Sequence, residues 1–169
     1  SDLKIVRKLL EDERFPVPSG ASTAVIYAKD APADYFDAIG AAMFKRLRAF
    51  AARDDGKPYP VWRDEASSVG RVIDALPRET ILKHRDDLDW LARQERMRVR
   101  AYGALQRLSE FGADGAKTLL WLIDDSQRFK SARNGSSDDW QHPYLAGLTG
   151  LCRSGAGAKD LIQPIYDRL

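Results

Sequence analysis

Apolar residues recur along this chain at alternating three- and four-residue steps, and that rhythm limits what it can fold into. Phe36, Ile39, Met43, Leu47 and Phe50 form one such stripe. At about 100° per residue these steps return to one side of an α-helix, which predicts a long helix ending near Arg53. Its start is signalled by Asp30-Ala31-Pro32, a capping carboxylate followed by a proline suited to a first turn. The same rhythm returns after every break further on. Val69, Val72, Ile73 and Leu76 mark a helix over Asp64–Leu76, and Pro77 ends it. Ile81, Leu88, Leu91 and Ala92 mark Arg78–Arg93. Met97, Ala101, Ala104, Leu105 and Leu108 mark Met97–Phe111, stopped by Gly112. Ala116, Leu119, Leu122 and Ile123 mark Gly115–Phe129, and two more helices are predicted from about Pro143 to Arg153 and from Lys159 to Leu169. No segment competes for a sheet of any size.

The amino-terminal part is less regular. Asp2 to Glu13 reads as a short helix with Leu3, Val6 and Leu10 on one side and Ile5 and Leu9 broadening the stripe. Phe15-Pro16-Val17-Pro18-Ser19-Gly20 breaks it, and Thr23 to Ala28 is open between a strand and a helical turn. Asp54 to Pro60, with Gly56, Pro58 and Pro60, is the best internal boundary. Lys130 to Asp139 reads as a polar loop around an Asn134-Gly135 turn, which is also how the formal glycosylation acceptor Asn134-Gly135-Ser136 is read.

Composition then excludes whole classes. The 169 residues suit one domain, long enough to bury roughly 70% of the unfolded surface without a metal or disulfide staple. Hydrophobic residues at 44% beside charged residues at 31% are those of an ordinary globular chain. The longest apolar run, Thr118 to Ile123, is far short of the roughly 20 residues of a membrane span. With 27 basic against 25 acidic residues, a formal charge of +2 argues mildly against a dedicated nucleic-acid binder. Cys152 is the single cysteine, so no disulfide forms within the chain, which does not define a compartment. The chain opens at Ser1 without an initiator methionine, as a trimmed sequence would, so the missing signal peptide is uninformative; cytoplasm is the default expectation.

Helices arriving in pairs prompt a search for a period, and one is present. Ala104, Leu105, Leu108 and Gly112 correspond to Gly147, Leu148, Leu151 and Gly155, a shift of 43. Past the turn the shift is 42: Gly115-Ala116-Lys117 matches Gly157-Ala158-Lys159, and Leu119 and Ile123 match Leu161 and Ile165. The first unit reads Val99-Arg100-Ala101, Ala104-Leu105, Leu108, Gly112, Ala116, Leu119, Leu122 and Asp125. That order resembles the short bacterial HEAT repeat: a Val-Arg start, small residues and leucines, a glycine turn, then a second leucine helix ending in Asp. Small residues at 101 and 104 permit close helix approach, and Gly112 can take the positive φ of a tight stop. The second unit departs from the pattern, with His142-Pro143 in place of Val-Arg and Pro164 inside its last helix, as in a terminal repeat. The 64–93 pair aligns poorly and residues 1–60 do not match.

The expectation is therefore an all-α chain of antiparallel helix pairs, stacked as a short HEAT-like α-solenoid over 61–169. Residues 1–60 would form a helical segment packed on it within one structural domain.

Apparent chemistry fails on spacing or context. Gly112-Ala-Asp-Gly115-Ala-Lys117-Thr118 lacks the four residues a phosphate-binding loop needs between its first glycine and a Gly-Lys pair, has Ala116 before the lysine, and is flanked by two helices where the motif needs a preceding strand. His84 falls on the apolar side of its helix with Leu88 and Leu91, so it reads as a core or edge histidine. Neither His84 nor His142 joins Cys152 in a zinc-like cluster. The doublets Asp54-Asp55, Asp86-Asp87, Asp124-Asp125 and Asp138-Asp139 lack the glycine and distal glutamate of a calcium loop, and read as solvated or capping acids. No catalytic residue, cofactor or metal is expected.

What remains is surface. Arg93, Arg96, Arg98, Arg100 and Arg107 are relieved by one acid, Glu95. On a single helix Arg96, Arg100 and Arg107 would fall within about 40° of each other, a possible anion or nucleic-acid patch. Against this, the HEAT resemblance implies that Arg100 pairs with acids ending the preceding helix, Asp86, Asp87 or Asp89. Trp90 and Trp121 lie opposite the apolar stripes of their helices; stacked repeats would bury them, and if exposed they are the aromatic anchors a partner would use. The candidate partner-binding residues are thus Trp90, Trp121, Arg96, Arg98 and Arg107, in a non-enzymatic scaffold or adaptor that binds another protein. The alternatives are a regulatory or docking domain of a larger enzyme, or nucleic-acid binding through Arg93–Arg107.

Overall fold

The structure, a computed structural model, describes residues 2–53, 63–132 and 141–155. Among these there are helices and turns and no strand. In chain order they are α1 (Asp2–Glu11), α2 (Ala21–Tyr27), α3 (Ala33–Ala52), α4 (Arg63–Ala75), α5 (Arg78–Ile81), α6 (Arg85–Arg93), α7 (Glu95–Arg100), α8 (Tyr102–Leu105), α9 (Gly112–Ala132) and α10 (Gln141–Ser154). Short 3-10 turns, Leu82–His84 and Gln106–Phe111, join α5 to α6 and α8 to α9. No helix among the described residues is long and apolar enough to cross a membrane. The 54–60 boundary, most of the 130–139 loop and the 156–169 part of the second repeat unit lie outside the described residues.

The apolar stripes fold inward as their spacing predicts. Ile39, Met43 and Leu47 of α3, Val69, Val72 and Ile73 of α4, Leu88 and Leu91 of α6, and Leu119 and Leu122 of α9 are all fully buried. They belong to one continuous core running from Leu10 to Leu151. Residues on both sides of 54–60 contribute to it. α1 packs on α3, α2 on α4, α4 on α8, and α10 closes over α9 and the 106–111 turn.

Three local features resolve or revise the sequence reading. The run left open between a strand and a helical turn is helical from Thr23 to Tyr27 with Ala28 as its cap, Val25 facing the core and Thr23 and Ile26 exposed. The 78–93 run is interrupted by the 3-10 turn at Leu82–His84. The 97–111 run is not one helix. It stops at Ala101, whose φ of −92° and ψ of 27° leave the helical region, restarts, and tightens to a 3-10 turn from Gln106. Tight packing accompanies the break: a Cβ on Gly70 of α4 would stand 2.8 Å from the Ala101 Cα. At Gly112 the expected left-handed stop is present, with φ of 59°, and Gly155, its repeat counterpart, has φ of 54°.

A feature absent from the sequence reading ties the amino-terminal helices together. Arg46 of α3 is 3% exposed, and all three guanidinium nitrogens donate. Nε and Nη2 reach the Leu10 carbonyl at 3.3 and 3.2 Å, and Nη2 also reaches the Asp12 carbonyl at 2.6 Å. Nη1 binds the Phe15 carbonyl at 3.1 Å and Glu65 of α4 at 2.7 Å. Glu65 also accepts the Val17 amide at 3.3 Å. The carbonyls at the end of α1, which have no intrahelical donor, are thereby satisfied inside the protein. Arg46→Met should cost about 3–5 kcal/mol, because it leaves Glu65 and those carbonyls without a donor. Arg46→Lys, with a compact three-donor head, should recover only part. Urea denaturation measures both; a loss below about 1 kcal/mol for Arg46→Met contradicts this role.

Candidate interaction surfaces

Trp90 on α6 and Trp121 on α9 are half-buried, and each ring is covered by arginine. The Arg48 guanidinium of α3 lies 4.4 Å from the centre of Trp90. Trp121 is approached by Arg93 at 5.1 Å and by Arg98 at 5.7 Å. Because Trp90 and Arg93 lie three apart on α6, these contacts form a sequence from α3 through α6 to α9. Each is worth about 0.5–2 kcal/mol depending on its desolvation. The tryptophans thus occupy the seams between helices, with their faces already partnered. Arg48 and Arg93, which complete the seams, were not in the predicted set. Both contacts join residues far apart in the chain, so no local spacing signalled them.

The predicted arginine patch does not assemble. Its geometry assumed one helix, and the chain breaks at Ala101 and again at Gln106. Arg98 is 5% exposed, donating to the Ala92 carbonyl at the end of α6 and to Asp125 of α9. Arg107 caps the end of α4, with Nη1 on the Asp74 and Leu76 carbonyls and Nη2 beside Glu110. Arg93 is exposed and Arg96 half-buried. The acids expected to serve Arg100 have other partners as well: Asp87 binds Arg48 and His84, while Asp89 lies beside Arg85 and accepts from the Thr118 hydroxyl. With Arg98 and Arg107 turned inward, Arg93, Arg96 and Arg100 remain of the set, the first exposed and the other two half-buried.

His84 sits where its apolar register implied, at the α3 interface. Its ring stacks on Phe44 with centroids 4.6 Å apart, and Nδ1 lies 2.9 Å from Asp87 Oδ2. A Cβ on Gly40 would stand 3.0 Å from Nε2, so the glycine makes room for the ring. Asp87 completes the cluster by accepting from Arg48 at 2.6 Å. Burial works to raise the Asp87 pKa, but hydrogen bonds from His84 and Arg48 outweigh it and hold the carboxyl below its ordinary range. The cluster joins α3 to α6. Among the described residues no group of three or more His, Cys, Asp or Glu side chains could hold a metal ion. The 112–118 segment is the start of α9 and not a turn between helices; there Lys117 pairs with Asp114, which also receives Arg85.

The largest uncovered apolar side chains are elsewhere. Ile5 is 62% exposed, Leu9 49%, Phe15 51%, Ile26 51% and Tyr27 80%. These five precede residue 28, whereas only Leu82, Tyr102 and Leu145 join them among the described residues beyond it. On α1, Leu10 is buried and Leu3 and Val6 are half-buried against the core, so the inner side is satisfied. Ile5 and Leu9, the pair that broadens the stripe, face out one turn apart. Comparison with family models, with curated proteins and with solved structures gave no match.

The Asp87 cluster carries a pH signature. Its folded pKa lies below the unfolded value of about 3.9, so its stabilisation is present above that value and is lost as pH falls through the lower folded one. Asp87→Asn should lower stability at neutral pH and flatten the decline below about pH 4. Urea midpoints of both proteins across that range test it; parallel curves contradict it.

Proposed function

We propose that this chain is a non-enzymatic helical module, HEAT-like in its repeat pattern, that binds another protein through its amino-terminal helices. The observation that carries the reading is the outward pair Ile5 and Leu9 on α1, 62% and 49% exposed in a helix whose inner side is already packed. Covering two such side chains contributes about 1.5–3 kcal/mol each if burial is complete, and grouped exposed apolar residues mark interaction sites. The HEAT-like assignment is supported by the 43-residue correspondence and by the positive φ shared by Gly112 and its counterpart Gly155. Modules of that kind act through extended helical surfaces.

This reading shifts the predicted contact. Trp90 and Trp121 are engaged by arginines within the protein, so the partner face is assigned to α1 and its neighbours. The same face would serve a docking domain within a larger enzyme. Nucleic-acid binding through Arg93–Arg107 loses support, because Arg98 and Arg107 point their donors inward.

Affinity purification with the tagged chain tests the proposal. A protein retained by the wild type should be lost from the Ile5→Ser, Leu9→Ser double variant and kept by Trp121→Phe, while the double variant melts like the wild type. Retention unaffected by the double variant overturns the assignment of the face. Recovery of RNA or DNA that falls steeply with salt would favour the nucleic-acid reading instead.

A further inference from the structure

The apolar pair on α1 has a charged border. Lys4 and Lys8 are both exposed and also lie one turn apart. At about 100° per residue their row runs beside the Ile5–Leu9 row, roughly 100° around the helix. The described acids around α1 are already matched: Glu11 by Arg7 at 2.8 Å, Asp12 by Arg14 at 2.6 Å, Glu13 by Lys45 at 2.7 Å, and Asp34 by Arg7 at 4.0 Å. Among the described residues Lys4 and Lys8 make no ion pair; Lys8 contributes only a weak field at the Asp12 carboxyl. The exposed side of α1 therefore has an apolar row beside an uncompensated basic row.

We infer that this face takes an acidic amphipathic helix from a partner protein. The partner's apolar residues would cover Ile5 and Leu9, and its carboxylates would face Lys4 and Lys8. The inference rests on the interaction reading above and adds the partner's chemistry. A helix fits because both rows repeat at one turn, the spacing by which one helix offers ridges and grooves to another. An anionic membrane fits less well. A helix lying in a bilayer interface needs a wide apolar face, and α1 commits Leu3, Val6 and Leu10 to the core.

The test is a fluorescence anisotropy titration of the intact chain. Its probe is a labelled synthetic helix with leucines on one face and glutamates beside them; an isomer with lysines in place of the glutamates is the control. The glutamate peptide should bind more tightly than the lysine isomer. Lys4→Glu with Lys8→Glu should weaken it by about tenfold or more, as should Ile5→Ser with Leu9→Ser. Matching thermal melts exclude unfolding as the cause, and Lys4→Gln with Lys8→Gln provides a milder second variant with a smaller loss in the same direction. Failure of the glutamate peptide to bind, equal binding of the two peptides, or indifference to both lysine variants overturns the inference. So does stronger binding to phosphatidylcholine vesicles carrying phosphatidylserine than to the peptide. If a captured partner depends on Ile5 and Leu9 but not on the lysine charges, the acidic-partner inference fails while the interaction reading stands.

Discussion

A helix leaves its last carbonyls without intrahelical donors, and in this fold several of those ends lie inside the protein where water cannot serve them. Arginines turned into the protein answer that constraint. Arg46 serves the end of α1, Arg107 the end of α4, and Arg98 the end of α6. Arginine is suited to the task because its planar head has five N–H donors and keeps its charge when buried. A cation also meets the negative end of the helix dipole. Arg46 has the widest reach, since it collects the end of α1, the following turn and Glu65 of α4 at a single side chain. The position of α1, and with it the direction in which Ile5 and Leu9 point, depends on that contact.

The same chemistry turns Arg98 and Arg107 of the Arg93–Arg107 set into the protein. Arg98 and Arg107 direct Nη donors to carbonyls and also meet Asp125 and Glu110. Arg48 and Arg93 lie against tryptophan rings. A flat guanidinium on an indole fills a seam between helices while part of its edge stays in water, which a leucine could not do. The seams from α3 to α6 and from α6 to α9 are thus closed by arginine and tryptophan, and the aromatic residues most suited to a partner serve the fold.

Periodicity made the core legible: the named stripes of α3, α4, α6 and α9 face inward as their spacing implied. The stop at Gly112 was legible too, because positive φ has a strong residue preference. Arg46 was not, although it stands seven residues from Ile39 and four from Phe50, inside the apolar stripe of α3. A charged residue in an apolar register has two outcomes, an interrupted stripe or a buried cap, and only the carbonyls brought to it decide between them. The break at Ala101 depends on contact with Gly70 of α4, about thirty residues away, so a local pattern could not contain it. Trp90 and Trp121 are half-buried and pack against the core, and which arginines cover them is a matter of packing that no local pattern holds.

The outward face of α1 follows from the same limit. A stripe records how much of a helix is apolar; it does not record how much of that stripe its neighbours cover. α1 has five apolar positions, and α3 with the adjoining core covers Leu3, Val6 and Leu10. Since Arg46 fixes the end of α1 through backbone carbonyls, its seat does not require Ile5 or Leu9. Those two side chains are therefore separable from the fold: exchanging them alters the surface while the buried contacts remain. Residues that add apolar exposure without supporting the core are the ones an interaction accounts for most directly, and that separability places the binding reading on α1.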